Sequence, residues 1–160
     1  MIDFLMKWCE RRGKVVNITG TAGDGDTYMI RYIVLKNRFC NIYIHQFLRS
    51  DRDDLHDHPW HFMTYLVRGA YKEWKYNKKT GRDDITFRSV KYNRLVFRKA
   101  TDQHRVEVYH DLKQHEKDKA ALTLFISGPI LREWGFIKEV NRGPLRYRSW
   151  IHWRKYLGVN

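Results

Sequence analysis

The chain has 160 residues, of which 42% are hydrophobic, so we expect one domain with a single core and little room for a second. Lysine and arginine number 31 against 18 acidic residues, and the resulting net charge of +13 attracts anions without specifying which kind. Two cysteines cannot build a disulfide framework, and no apolar run reaches the ~18 residues of a membrane span. The first residues also lack a secretory-signal pattern, so we expect a cytoplasmic protein.

The predicted elements are a short helix followed by many short strands. Near the start, Phe4, Leu5, Trp8 and Cys9 are spaced like one face of a helix. After it come segments rich in aromatic and β-branched residues, separated by turn signals about every 8–12 residues. These segments are 28–36, 39–49, 63–76, ITFRSV, RLVFRK, HRVEVY and 121–128. Such a series predicts an all-β sandwich or barrel.

The last thirty residues differ in character, because they combine seven basic residues with many aromatic ones. Trp150, Trp153 and Tyr156 recur in steps of three, which predicts a C-terminal helix that packs one aromatic stripe onto the barrel. Stacking of these rings on nucleobases is the alternative interpretation.

One histidine pair carries the sharpest chemical signal. His56 and His58 are separated by one residue, and alternate residues of a strand face the same side, so both imidazoles would enter one space. His104, which opens a later predicted strand, is the candidate for a third ligand. Imidazole nitrogens suit iron, nickel, copper, zinc and manganese, and three of them leave coordination positions for a substrate. The alternative is a pair of ordinary surface or core histidines.

The segment HDHPWHFMTYLVRGAY resembles the first motif of the cupin superfamily. In that motif an acid follows the second histidine by four residues and a glycine follows the acid by seven, and Gly69 stands at the glycine position. His104 is similar in placement to the histidine of the second motif. LHDHPW, LVRGAY and GPILREWGF further resemble a group of small bacterial and phage cupins. The resemblance covers roughly 40–136 and implies a cupin-type double-stranded β-helix, or jelly roll.

The departures from the cupin pattern affect the ligand set that the resemblance implies. Phe62 stands where the motif has its acid, which leaves His56, His58 and His104 as ligands, unless His61 substitutes for the acid. The second motif is weaker still, since its expected glycines, proline and asparagine are replaced by Asn93, Lys99, Thr101 and Val108. Some cupin dioxygenases use three histidines alone, whereas a metal-free, degenerate barrel also stays open.

Thr64, Leu66 and Arg68 alternate along one predicted strand and would share a face. If that face lines the barrel, Arg68 and Thr64 are pocket residues. A buried arginine needs a partner, so Arg68 would bind an anionic group of the ligand or an acid such as Glu133. An arginine at the barrel mouth is the alternative.

The remaining acidic and histidine residues have simpler interpretations. Asp51, Asp53 and Asp54 read as a solvated loop, because the glycine turn and distal glutamate of a calcium site are missing. Asp57 points away from the histidine pair and is expected in the outer shell or in a turn cap. His45 is expected to be buried and hydrogen-bonded. The histidines expected to be exposed are His110, His115 and His152.

These inferences combine into one expectation: a single cupin-like domain over 1–160, with a barrel core at about 28–136, a basic aromatic extension at 137–160 and short helices at both ends. The resemblance implies a metal-dependent enzyme, first a mononuclear non-haem iron dioxygenase, or else an isomerase or lyase, with zinc, manganese or nickel as other metals. His61 or Tyr71 would act as acid or base, and Arg68 would hold a small anionic or nucleotide-like substrate. The alternatives are a metal-free sugar-nucleotide epimerase-like barrel and a non-catalytic nucleic-acid-binding module. Nucleic acid and a homodimer partner stay open.

Overall fold

The computed structural model describes residues 1–19, 27–51, 55–77, 79–109, 120–139 and 145–149. They form an N-terminal helix followed by antiparallel strands. The elements are α1 (Ile2–Arg11), β1 (Val15–Thr19), β2 (Thr27–Lys36), β3 (Asn41–Phe47), β4 (Phe62–Arg68), β5 (Ala70–Asn77), β6 (Arg82–Ser89), β7 (Leu95–Arg98), β8 (His104–Glu107), β9 (Ala121–Ser127), β10 (Gly135–Glu139) and β11 (Leu145–Ser149).

Most of these strands belong to two antiparallel sheets of a jelly roll. One sheet has the order β1-β2-β3-β9-β4-β7, the other has the order β6-β5-β8, and β10 pairs with β11. The pairing of β3 with β9 joins distant parts of the sequence, and Asn41 Nδ2 donates a hydrogen bond of 3.0 Å to Ser127 Oγ across it. The all-β fold predicted from the short aromatic segments is therefore confirmed.

The main core lies between α1 and the larger sheet. Met6 and Cys9 on the inner face of α1 pack with Ile30 on β2, Ile44 on β3 and Leu122 on β9. Cys9 and Ile44 are completely inaccessible to solvent. The predicted N-terminal helix is thus present, and its apolar face closes one side of the larger sheet.

Gly69 marks the corner where the chain leaves the larger sheet after β4 and enters the smaller sheet as β5. Its φ angle is +81°, a region that residues with a Cβ rarely adopt. A Cβ at this position would also lie 2.8 Å from Ala121 Cα. Both the turn and the close approach of β9 therefore require glycine, which gives a physical reason for the glycine of the motif.

The C-terminal region contributes two paired strands, β10 and β11. β10 spans Gly135–Glu139, so the predicted boundary between core and extension falls inside a strand. β11 adds a second strand, whereas the predicted helix with Trp150, Trp153 and Tyr156 lies outside the described residues. Within the described ranges, no helix has the length and apolar character needed to cross a membrane.

Candidate metal centre

Backbone pairing brings the two histidine-bearing segments together. The His56 N–H donates to the His104 carbonyl at 3.1 Å, and the His104 N–H donates back to the His56 carbonyl at 2.9 Å. His56 forms a second bridge with Phe136 on β10. The expectation that His56 and His58 share a strand is wrong, because only His56 is bridged and the chain continues as an irregular loop. Pro59 lacks the N–H donor that a continuing ladder would use at its position.

The three imidazoles nevertheless converge. One ring nitrogen from each of His56, His58 and His104 lies within 4.8 Å of the other two, and the Nε2 atoms of His58 and His104 are 2.9 Å apart. Nitrogens that bind one ion at about 2.1 Å lie roughly 3–4 Å from each other, so this donor set fits a single divalent transition metal. Burial first, and then its histidine neighbours, holds the pKa of His58 well below the ordinary value, which favours the neutral form that a metal ligand needs.

Two of the histidines are backed by carboxylates, Glu73, which the sequence did not single out, and Asp51, which it assigned to a solvated loop. His104 Nδ1 lies 2.9 Å from Glu73 Oε1, and His56 Nδ1 lies 3.4 Å from Asp51 Oδ2. A carboxylate on Nδ1 fixes the tautomer and directs Nε2 toward the centre of the cluster. The interpretation of Asp51 as part of a solvated loop is wrong, since it is only 5% exposed. Asp53 and Asp54 lie outside the described residues.

Glu73 is the centre of a buried ionic network. Its carboxylate accepts hydrogen bonds from Arg98 Nε at 3.1 Å and Arg98 Nη2 at 2.6 Å, and it also pairs with Arg88. Burial by itself would raise the pKa of Glu73, but His104 and the two guanidinium groups outweigh it and hold that pKa well below its usual range. Glu73 is therefore held in its ionised form beside His104.

Asp57 connects the histidine loop to the segment that precedes β10. It is buried, and it accepts hydrogen bonds from the Gly135 N–H at 2.8 Å and from Arg132 Nη1. By anchoring residues 132–135, Asp57 holds Trp134 beside the histidines, and the Trp134 ring lies 6.2 Å from the His56 ring.

Two connected cavities open onto the histidines. The inner cavity, of about 90 Å³, also contacts Phe62, Thr64, Tyr71, Glu73, Thr123 and Phe125. The outer cavity, of about 320 Å³, also contacts Ile18, Thr19, Pro59, Trp134 and Phe136. Both are lined by Tyr28, Arg31, Asp51, His56, His58 and Trp60. Mostly apolar walls with a few converging polar groups are typical of small-molecule sites.

Two residues that the sequence analysis assigned to the site lie elsewhere. The β4–β9 register shifts between Leu66 and Arg68, so Arg68 loses the alternation that keeps Thr64 in the inner cavity. Arg68 lies instead 4.0 Å from Asp3 of α1 and contacts neither cavity, which leaves the proposed pairing with an anionic ligand without structural support. His61 is exposed, and its Nδ1 accepts a hydrogen bond of 2.8 Å from the Ala100 N–H.

Tyr71, by contrast, is buried and lines the inner cavity. Burial, together with the negative charge of Glu73, raises the pKa of Tyr71 to about 12. The phenol therefore keeps its proton at neutral pH and can donate a hydrogen bond, but it is poorly suited to act as a general base.

Arg31, rather than Arg68, is the arginine that lines the cavities. It lies on β2 and contacts both cavities, and its Nε donates a hydrogen bond of 3.0 Å to Nε2 of His45. Burial lowers the pKa of Arg31, and burial followed by the charge of Arg31 holds the pKa of His45 well below its ordinary value. His45 is thus the buried, hydrogen-bonded histidine that was expected. His110, His115 and His152 lie outside the described residues.

Comparisons with known proteins support the fold. No protein-family model matches the sequence, and no curated protein is detectably similar to it. Among solved structures, a cupin-2 domain from Rhodospirillum rubrum matches with a TM-score of 0.56 at 11% identity, covering 78% of this chain and 75% of that one. The DMSP lyase DddQ from Ruegeria pomeroyi matches with a TM-score of 0.53 at 11% identity (75% and 56% covered). The iron(II) form of HppE matches with a TM-score of 0.52 at 9% identity (71% and 55% covered).

The topology and these neighbours define the chain as a cupin-type jelly roll. The chain spans just over half the length of DddQ and HppE, and identities near 10% establish similarity of fold alone. The cupin fold implied by the sequence motif is confirmed. What the site does must be argued from its own residues.

Proposed function

We propose that the protein is a metal-dependent cupin enzyme that holds one divalent transition metal on His56, His58 and His104. The observation that carries this proposal is the convergence of three ring nitrogens within 4.8 Å at the junction of two cavities. Carboxylates behind His56 and His104 add the second shell that metal-binding histidines usually have. Iron is the first candidate metal, because one of the neighbouring folds is an iron(II) protein. Zinc, manganese and nickel are the others.

The reaction type we favour is an oxidation of the dioxygenase kind, and isomerisation or elimination (a lyase reaction) is the alternative. A divalent ion on three imidazoles supplies open coordination positions for dioxygen and substrate, or a charge that polarises a carbonyl group. The chain itself supplies the neutral Tyr71 hydroxyl as a hydrogen-bond donor in the inner cavity. Phe62 and Phe125 keep water away from the same space, which strengthens polar interactions within it. The small substrate enters through the outer cavity.

A metal-free acid–base enzyme of the epimerase-like kind is the second candidate. It is favoured by the same histidine–carboxylate pairs, because a histidine on a buried carboxylate beside a tyrosine can move protons without a metal. The His58 and His104 Nε2 atoms lie 2.9 Å apart, a distance that suits two ligands of one ion and equally a hydrogen bond between the two rings. Metal content therefore separates the two candidates.

The test is elemental analysis of protein purified without chelator or nickel affinity resin, followed by titration of the stripped protein with iron(II) and zinc(II). We expect about one metal ion per chain. His104→Ala should lose most of the metal and any dioxygen uptake, whereas His61→Ala, whose ring lies outside both cavities, should keep both. Wild-type protein that neither retains nor takes up metal, or equal metal loss in both variants, would contradict the proposal.

A further inference from the structure

Arg31 is a partly buried cation that lines both cavities. Its Nε is bound to His45, and its guanidinium carbon lies 4.9 Å from the centre of the Tyr43 ring, so the side chain is fixed before any ligand arrives. Across the described part of the chain, no carboxylate lies within ion-pair distance of Arg31. A partly buried guanidinium group without a counter-charge is costly, and its planar donors match carboxylate and phosphate groups.

Flat aromatic surfaces surround the same opening. The indoles of Trp60 and Trp134 each have their ring centre 6.5 Å from that of His58, with interplanar angles of 17° and 13°. The two indole planes are therefore inclined to each other by no more than 30°, and both contact the outer cavity together with Arg31. Nε1 of Trp60 is buried and has no hydrogen-bond partner, so it can donate to an acceptor on a ligand.

The size of the space limits what can bind. An outer cavity of about 320 Å³ lies at the lower end of the range for small-molecule sites, and the inner cavity of about 90 Å³ admits only part of a ligand. A molecule of one or two rings fits this division. Because Arg31 contacts both cavities, a bound anionic group lies near their junction, within reach of the histidines.

We propose that the substrate of this site is a flat aromatic or heteroaromatic molecule that carries a carboxylate or phosphate group. Arg31 binds the anionic group, and Trp60 and Trp134 contact the faces of the ring. The inference deepens the proposed function and rests on it for the chemistry, but the binding itself depends on residues that do not ligate the metal. Arg31 thus acts as the residue that determines substrate specificity.

The experiment is calorimetric titration of chelator-stripped and zinc-loaded protein with four probes. Benzoate and phenyl phosphate combine a flat ring with an anionic group, and comparing them distinguishes carboxylate from phosphate. Cyclohexanecarboxylate keeps the anionic group but has no flat ring. Benzamide keeps the flat ring but has no charge. We expect one of the first two to bind about tenfold or more tightly than the last two. Arg31→Gln should weaken that probe by about 10- to 100-fold in both protein forms. Trp134→Leu should weaken it several-fold while leaving cyclohexanecarboxylate unchanged.

Arg68→Gln is the matched control, because it removes the same charge outside both cavities and should leave all affinities unchanged. Failure of every probe to bind wild-type protein at up to ~10 mM, about the weakest affinity expected for ligands of this size, would overturn the inference. So would equal effects of Arg31→Gln and Arg68→Gln. If the protein takes up metal but probe binding does not depend on Arg31, this inference is refuted and the proposed function stands. If probe binding depends on Arg31 but the protein takes up no metal, the proposed function is refuted and this inference stands.

Discussion

Replacing Glu73 by glutamine tests whether the buried carboxylate supports both the fold and the metal site. Glu73 is 3% exposed and faces His104, Arg88 and Arg98, so the substitution keeps the volume and removes the charge. Two guanidinium groups would then lie buried without their counter-ion. Loss of one partner from a buried ion pair costs about 3–5 kcal/mol, so we expect a decrease of that size in the free energy of unfolding.

The same substitution should also weaken metal binding. Glutamine can still accept a hydrogen bond from Nδ1 of His104, but it no longer raises the basicity of that imidazole, and loss of such a partner typically reduces metal affinity by about 10- to 100-fold. The assays are urea unfolding of the stripped protein and competition for zinc against a chelator of known affinity. Glu73→Ala, which removes the acceptor entirely, should reduce metal affinity further than Glu73→Gln.

Glu107→Gln is the matched control for this prediction. Glu107 also lies on the smaller sheet, but it contacts Lys72 and Trp74 at a partly exposed position, so its loss should cost at most about 1 kcal/mol and leave metal affinity unchanged. If Glu73→Gln behaves like Glu107→Gln in both assays, the argument that Glu73 positions His104 is refuted.

Three further predictions address the corner, the inner cavity and the charge. Gly69→Ala should destabilise the protein by more than about 2 kcal/mol in urea unfolding, because strain at positive φ adds to the clash with β9. Gly81→Ala is the control, since Gly81 has φ +68° but nothing within 4 Å, and it should cost only about 1–2 kcal/mol. Equal costs would contradict the role of the contact with β9. The pKa of Tyr71 is raised to about 12 from its ordinary value near 10, so in this pH range the unfolded chain ionises while the folded protein does not. Wild-type protein should therefore lose stability relative to Tyr71→Phe as the pH rises from about 10 to about 12. Parallel stability profiles of the two proteins would refute the buried, protonated state of Tyr71. If the net charge of +13 serves nucleic acid, affinity for a single-stranded oligonucleotide should fall steeply with salt, and absence of binding at low salt would remove that partner.

The residues that sequence reasoning found share a local signature, and those it missed do not. His56 and His58 stand in a short motif, so their proximity could be predicted even though the strand expected to carry them is absent. Glu73 comes near His104 only when β5 pairs with β8, which is a contact between distant segments. Asp51 stands five residues before His56, but its burial follows from the fold, in which its N–H donates to the Val106 carbonyl. Such pairings are fixed by the whole sheet and leave no local pattern.

Arg31 and Arg68 show how one residue of register decides a functional assignment. Alternation placed Arg68 on the cavity face, but the irregularity after Leu66 breaks that period, and a bulge of this kind moves every later side chain relative to its neighbours. Arg31 left a readable signal, since its alternate neighbours Met29 and Ile33 are apolar. A single charge within a strand that is apolar on both faces indicates an interior cation with a specific partner.

The charge around the site gives the proposed substrate an independent argument. Three guanidinium groups, those of Arg31, Arg88 and Arg98, stand near two carboxylates, those of Glu73 and Asp51. Arg88 and Arg98 both pair with Glu73, and a divalent ion bound to the histidines would add two positive charges. The interior of the barrel is therefore positive before and after metal binding, and low-polarity walls of Phe62 and Phe125 keep that potential from being screened by water. A neutral or cationic substrate would leave the charge of Arg31 uncompensated, whereas the anionic group of an aromatic substrate would neutralise it beside both cavities.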